Sequence, residues 1–141
     1  MQLLKMKINL ELIQYINYFE KTTRSKVKDC FFEDQKLIFI VQPGQARIAI
    51  GKQGINVKKF TEKTGKKIKI TEFNEDPLIF IKSLISPIKA TNIEEVDKII
   101  TISVQSTKDK GLLIGRNAKN LENLKKHVRK YFVHIKDIKI Q

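Results

Sequence analysis

Apolar side chains recur in the first half of the chain with two spacings, one typical of helices and one typical of strands. Leu12, Ile16 and Phe19 repeat at intervals of three and four residues, which predicts an amphipathic helix that Asn9 would cap. The elements predicted here, in the order αββααβ, are a helix over about residues 10–22, strands over 27–32 and 37–41, helices over about 45–50 and 55–64, and a strand over 67–71.

The same order recurs after a turn-rich break at residues 74–77. At an offset of 64 residues, Ile50-Gly51-Lys52 matches Ile114-Gly115-Arg116, and Asn56 matches Asn120. The chain is therefore predicted to be α/β of the α+β type, with two copies of one unit, 1–75 and 76–141. Each copy should have a three-stranded mixed sheet covered on one face by helices. The elements predicted in the second copy are a helix over 78–85, strands over about 88–93 and 98–105 around an acidic turn at 94–97, a glycine-containing segment over 110–117, a helix over about 118–131 and a strand near 133–140. In that last segment the apolar phase slips between Ile135 and Ile138, which predicts a turn or bulge there.

The turn between the last two helices of the first unit has the pattern Gly-x-x-Gly. Gly51 and Gly54 would let another backbone approach closely, because no Cβ stands in the way. Lys52 and the amides at the start of the next helix favour an anionic ligand. The turn therefore predicts a clamp for nucleic-acid phosphate. The candidate contact residues are Ile50, Gly51, Lys52, Gln53, Gly54, Asn56, Lys58 and Lys59.

The charge of the chain strengthens this interpretation. The formal net charge is +13, and residues 44–69 hold eight basic side chains and one acid. An excess of this size indicates a polyanionic partner. The apolar runs are too short to span a membrane, and no disulfide is possible with Cys30 as the single cysteine. We therefore expect a soluble cytoplasmic protein without a membrane partner.

Catalytic chemistry finds no support in the sequence. His127 and His134 lie far from Cys30 and give no metal-ligand spacing, and no Ser/His/Asp or Cys/His set is suggested. We expect neither an enzyme nor a bound metal, cofactor or small-molecule substrate.

The first unit, an αββααβ unit with Gly-x-x-Gly between its second and third helices, resembles the type II KH domain. The whole chain resembles the archaeal NusA-like proteins, which consist of little more than two such domains in tandem. This resemblance implies binding of single-stranded RNA and a link to transcription termination or antitermination, with RNA polymerase nearby. The segments that carry it are Val27-Lys28-Asp29-Cys30, Ala49–Lys58, Thr64–Ile68, Asp76-Pro77 and Asp109–Gly115.

The second loop departs from the pattern, because Ala118 stands where the family usually has glycine. A Cβ at this position should oppose a positive φ and restrict the approach of a backbone. Two interpretations stay open: a weaker or differently used second site, or a scaffold that orients the first unit. The candidate residues of a second site are Gly115, Arg116, Asn117 and Lys119.

Other nucleotide- and nucleic-acid-binding patterns fit less well. Gly44 and Gly51 are separated by six residues where a Walker A loop needs four. No strand carries the aromatic run of an RNA-recognition motif. A helix-turn-helix reader of duplex DNA, with Ile55–Thr64 as its recognition helix, stays open. A docking protein for RNA polymerase or ribosome components also stays open.

Overall fold

The computed structural model of the chain describes residues 2–141, with side chains from Leu10 onward, and it divides into two compact units, Met1–Phe73 and Asn74–Gln141. Each unit has the order αββααβ and one three-stranded mixed sheet, which confirms the predicted α+β fold. The first unit contains α1 (Gln2–Thr23), β1 (Val27–Glu33), β2 (Lys36–Val41), α2 (Ala46–Ile50), α3 (Ile55–Thr64) and β3 (Lys67–Glu72). The second contains α4 (Pro77–Ile85), β4 (Asn92–Val96), β5 (Ile99–Ser103), α5 (Thr107–Ile114), α6 (Lys119–Tyr131) and β6 (Asp137–Ile140).

The central strand of each sheet pairs antiparallel with the strand before it and parallel with the last strand of the unit. In the first unit β2 lies between β1 and β3, with Phe39 opposite Cys30 on one side and Ile70 on the other. In the second unit β5 lies between β4 and β6, with Ile100 opposite Glu95 and Ile138. The parallel pairing requires a crossover, and the helical pair α2–α3 or α5–α6 supplies it.

The buried core of the first unit holds the two helices that flank the Gly51–Gly54 turn. Phe19 of α1 stacks on Phe39 of β2 with ring centroids 4.0 Å apart, and Phe60 of α3 meets Phe39 edge-on at 5.4 Å. All three rings are fully buried, and each contributes about 1.5–3 kcal/mol through burial. Ala49 is also fully buried, and its small side chain lets the short helix α2 pack closely. Both helices that flank the turn are therefore anchored in the core.

The second unit is built in the same way from different side chains. Phe80 of α4, Ile100 and Ile102 of β5 and Val128 of α6 are fully buried. Its first helix starts at Asp76, whose Oδ1 accepts a hydrogen bond from the amide of Leu78 at 2.9 Å. This cap satisfies one of the unpaired amides at the helix start.

Two predictions about helix and strand boundaries are wrong. Asn9 does not cap α1, because the helix starts at Gln2 and Asn9 lies within it. Residues 2–7 are strong helix formers, so the helix continues through Asn9 back to Gln2. Glu94 and Glu95 do not form a turn but belong to β4, and the turn is Asp97-Lys98. β4 is an edge strand, where charged side chains remain exposed to water.

The interrupted alternation of apolar residues in the last segment, 133–140, reflects a turn that precedes the strand. Ile135 is buried, but it precedes β6, which starts only at Asp137. The expected turn or bulge is therefore a turn, and the strand is shorter than the predicted 133–140.

Cys30 of β1 faces the core of the first unit. Burial, with a smaller contribution from the Asp29 carboxylate, raises the pKa of its thiol to about 12. The thiol therefore acts as a small apolar side chain. Within the described residues, no helix is both long and apolar enough to cross a membrane.

Candidate nucleic-acid interface

The first loop starts where α2 ends, at a backbone conformation that requires glycine. Gly51 has φ 78° and ψ 168°, a region that is essentially restricted to glycine. Its amide donates to the carbonyl of Arg47 at 3.0 Å and closes α2. The chain then makes a tight 3-10 turn over Lys52–Gly54, closed by a bond from the Gly54 amide to the Gly51 carbonyl at 3.1 Å. α3 starts at Ile55, so the four residues Gly51–Gly54 form the whole connection between the two helices.

A side-chain amide fastens the two helices to each other across this loop. Asn56, in the first turn of α3, donates from Nδ2 to the carbonyl of Ile48 in α2 at 3.0 Å. A Cβ placed on Gly51 would lie only 2.9 Å from that Nδ2 and 3.0 Å from Cγ2 of Ile55. The first glycine therefore has two functions: it adopts the required φ and ψ, and it leaves space for the asparagine.

The second glycine of the pattern meets a different requirement. Gly54 is left-handed, with φ 73° and ψ 22°, and a Cβ added there would have no heavy atom within 4 Å. Left-handed helical geometry is accessible to other residues at a cost of about 1–2 kcal/mol. Gly54 thus exposes a bare backbone face to solvent, whereas Gly51 is enclosed by the loop.

The loop of the second unit has the same conformation. Gly115 has φ 76° and ψ 173°, and Asn120 donates from Nδ2 to the carbonyl of Leu112 at 2.8 Å. Ala118 has φ 59° and ψ 23°, close to the values of Gly54. The expectation that a Cβ at position 118 excludes a positive φ is therefore wrong, although the left-handed conformation is strained there. The bond from Asn120 and the bond from the Ala118 amide to the Gly115 carbonyl at 3.2 Å hold the turn in this conformation.

Each loop carries its basic and polar side chains outward. Around the first loop, Lys52, Gln53, Lys58 and Lys59 are exposed, and Ile50 at the end of α2 is 38% exposed. Around the second loop the side chains of Arg116, Asn117 and Lys119 are exposed. The structure thus gathers the first eight candidate residues around one loop and the other four around the other.

One lysine of the first unit differs from these exposed ones. Lys69 of β3 is half-buried, and desolvation lowers its pKa, with Glu33 opposing and Lys36 adding to the effect. Its charge is therefore less available to a ligand than that of the exposed lysines. In the described part of the chain, no group of histidine, cysteine and acidic residues could hold a metal ion.

Sequence reasoning missed the structural role of the two asparagines. Asn56 was named only as a candidate contact residue, and its amide nitrogen also holds the loop together. The signal was present in the sequence, since both copies place asparagine five residues after the first glycine. The positive φ of Gln53 and Asn117 was missed too. Asparagine is enriched in this conformation, whereas glutamine gives no such signal.

Several known proteins are similar to this chain. A family model described as a KH domain matches residues 11–98, more than half of the chain. The "Probable transcription termination protein NusA" of Methanocaldococcus jannaschii is 34% identical over 132 residues, which cover 89% of this chain and 72% of that protein. The protein of the same name from Methanococcus vannielii is 42% identical over 90 residues, which cover 64% of this chain and 52%, about half, of that protein. The crystal structure of APE1850 superposes with a TM-score of 0.69 at 30% identity, covering 94% of this chain and 99% of that one.

Proposed function

Because the chain belongs to the archaeal NusA-like family of KH-domain proteins, we propose that it binds single-stranded RNA as a transcription factor of the NusA type, acting in termination or antitermination. The observation that carries this proposal is the geometry of the Gly51–Gly54 loop, which presents bare backbone at a fixed position between two anchored helices. KH domains use such a loop to clamp the backbone of about four nucleotides.

The chemistry of binding follows from the two faces of the loop. Gly54 leaves open space where a phosphate can approach, and Lys52 supplies positive charge beside it. Lys58 and Lys59 at the start of α3 extend the positive surface. Ile50 and the half-buried Val57 offer apolar surface on which bases can lie. Phosphate contacts then position the strand, and contacts to the bases provide any sequence preference.

The second loop is proposed to bind RNA backbone as well. Its conformation matches that of the first loop, which favours a second site over a pure scaffold. Ala118 adds one methyl group where Gly54 has none, so we expect a backbone to approach less closely there. Arg116 and Lys119 still provide positive charge. The proposed residues of the two sites remain those named from the sequence.

The partners and location follow from the family. The relatives are named as transcription termination proteins, and we infer that this chain works beside RNA polymerase on the emerging transcript. Such a protein would act in the cytoplasm and through binding alone, without catalysing a reaction.

A single substitution in the first loop tests the clamp. Gly54→Asp places a carboxylate where the phosphate is proposed to approach, at a position with open space and left-handed geometry. Aspartate is among the residues that tolerate this geometry. Gly65→Asp is the matched control: Gly65 ends the same helix, is also left-handed (φ 71°) and also has open space at its Cβ. Both variants change the net charge equally.

Fluorescence anisotropy with single-stranded RNA, matched single-stranded DNA and duplex DNA, across a salt series, gives the readout. We expect the wild-type protein to retain RNA best at higher salt, and Gly54→Asp to lose at least tenfold in affinity relative to Gly65→Asp. Equal affinity of the two variants would show that RNA does not use this loop. A preference for duplex DNA would favour the helix-turn-helix alternative, and equal, steeply salt-dependent binding to all three ligands would mean only a sticky basic surface.

A further inference from the structure

Helix α6 carries a row of three lysines on the side that faces away from the core. Lys119, Lys126 and Lys130 are separated by seven and four residues, a spacing that places them on one face of a helix. This face lies opposite the buried Leu124 and Val128, and all three lysines are exposed. We call these three residues the α6 ridge.

The first unit serves as an internal reference for this feature. At the offset of 64 residues, Lys119 corresponds to Ile55 and Lys126 to Glu62, while Lys130 corresponds to Lys66, which lies beyond the end of α3. The helix of the first unit therefore has one acid and one exposed isoleucine where the α6 ridge has lysines. α6 is also longer, with 13 residues against 10. The ridge is a property of the second unit and not of the fold.

One acid lies beside the ridge. Glu122 is three residues after Lys119 and four residues before Lys126, so it is one helical turn from each. Its Oε1 lies 3.5 Å from Nζ of Lys125, which in turn contacts Oδ1 of Asp137 at 2.9 Å. A further cluster of acids lies on β4 and its turn, at one edge of the sheet, whereas α6 contacts β6 at the other. With three lysines and one neighbouring acid, the surface of the ridge keeps a net positive charge.

We propose that the α6 ridge is an additional contact surface for RNA phosphates, which extends the footprint of the second unit beyond its loop; this inference rests on the proposed RNA-binding function. The ridge begins at Lys119, directly after the Arg116–Ala118 turn, so a strand that leaves the loop can continue along it. Eleven residues separate Lys119 from Lys130, about 16 Å at 1.5 Å per residue. That length corresponds to about five phosphates of a stacked strand at 3.4 Å each.

The chemistry of the ridge indicates contact with backbone and not with bases. Its three side chains are flexible point charges, without the aromatic or forked groups that stack on bases or bind them bidentately. A surface of this kind adds affinity without sequence preference. The extension would offset the added methyl group of Ala118 in the neighbouring loop.

The test replaces the ridge lysines by glutamine, which removes charge and retains helix propensity. The control replaces Lys82, Lys89 and Lys98, three exposed lysines elsewhere in the same unit, and changes the net charge equally. Binding of single-stranded RNA of about 4 to about 12 nucleotides is measured at several salt concentrations, and circular dichroism checks that each variant is folded. We expect the salt slope of the ridge variant to be smaller by about 2, since each lost phosphate contact on a single strand changes it by about 0.7.

Length dependence provides the second readout. The difference between ridge and control variants should grow with RNA length, because short RNAs occupy the loop and contact only Lys119 of the ridge, whereas longer ones also reach Lys126 and Lys130. Equal effects of the two triple variants, or an unchanged slope in the ridge variant, would overturn this inference while RNA binding by the wild-type protein stands. Absence of RNA binding by the wild-type protein would instead overturn the proposed function itself.

Discussion

Replacing Gly51 by alanine is expected to destabilise the first unit more than replacing Gly54, although both glycines belong to the same four-residue pattern. At Gly51 the new Cβ meets Nδ2 of Asn56 at 2.9 Å and Cγ2 of Ile55 at 3.0 Å. At Gly54 it meets nothing within 4 Å. The two substitutions are chemically identical, so any difference reports on the local geometry.

The size of the difference follows from three contributions. A non-glycine residue at φ 78° and ψ 168° is strained by about 1–3 kcal/mol. Displacing Asn56 weakens its bond to the Ile48 carbonyl, a loss of about 0.5–1.5 kcal/mol. Both alanines stabilise through the unfolded state by about 0.4–1 kcal/mol, while left-handed geometry at position 54 costs about 1–2 kcal/mol. We therefore expect a loss of about 1.5–3 kcal/mol for Gly51→Ala and about 1 kcal/mol or less for Gly54→Ala.

Urea unfolding followed by circular dichroism measures this, with nuclear magnetic resonance assigning each transition to a unit. With a slope near 1 kcal/mol per molar urea, the midpoint of the first unit should fall by about 1.5–3 M in Gly51→Ala. The side-chain amide resonance of Asn56 should shift in that variant and remain in Gly54→Ala. Equal midpoints for the two variants, or a larger fall in Gly54→Ala, would refute the assignment of Gly51 as the residue that the loop requires.

Two further predictions concern the second unit. Ala118→Gly should stabilise the second unit by about 0.5–1 kcal/mol in urea unfolding, because glycine removes the left-handed strain at φ 59°. Part of that gain is offset because glycine makes the unfolded chain more flexible. A loss of stability would contradict the conformation described for this loop. Asp137→Asn should lower stability at pH 7 by less than about 1 kcal/mol, since both side chains of the Lys125–Asp137 pair are partly exposed. The hydrogen bond from Lys125 lowers the pKa of Asp137 from its ordinary value of 3.8, so the stabilising contribution is present above that pH and is lost as the pH falls through the lower pKa of the folded state. Unfolding curves of wild type and variant should accordingly converge once the pH is low enough to protonate Asp137 in the folded state, and a difference that persists there would exclude the ion pair as its cause.

Most of the fold could be predicted because its elements are locally encoded. The bounds of α3 were predicted without error, since Val57 and Phe60 repeat at helical spacing and Gly65 ends the helix in left-handed geometry. β2 could be placed from its continuous apolar run. The start of α1 could not, because Asn9 is a residue type that commonly caps helices, whereas the helix continues through it back to Gln2. β4 was misplaced because an edge strand tolerates the acidic side chains that otherwise indicate a turn.

The candidate loop could be found from its glycines, but the different structural roles of the two glycines could not. From sequence alone the two glycines of the pattern look equivalent. Alanine in place of the second glycine is therefore expected to disturb the turn. The difference between the two positions depends on the side-chain amide of Asn56 or Asn120, which bonds to a carbonyl eight positions earlier, on the other side of the turn. Such a contact can be seen only once the backbone is placed.

The asparagine that joins the two helices has a consequence for recognising similar loops in other chains. In both units the first glycine and the asparagine five residues later are in close contact, as in Gly51 with Asn56 and Gly115 with Asn120. The fourth position is open to solvent and can hold alanine without changing the turn. A search pattern that demands two glycines would discard the second unit of this protein, whereas one written as Gly-x-x-(Gly or Ala)-x-Asn would retain both units.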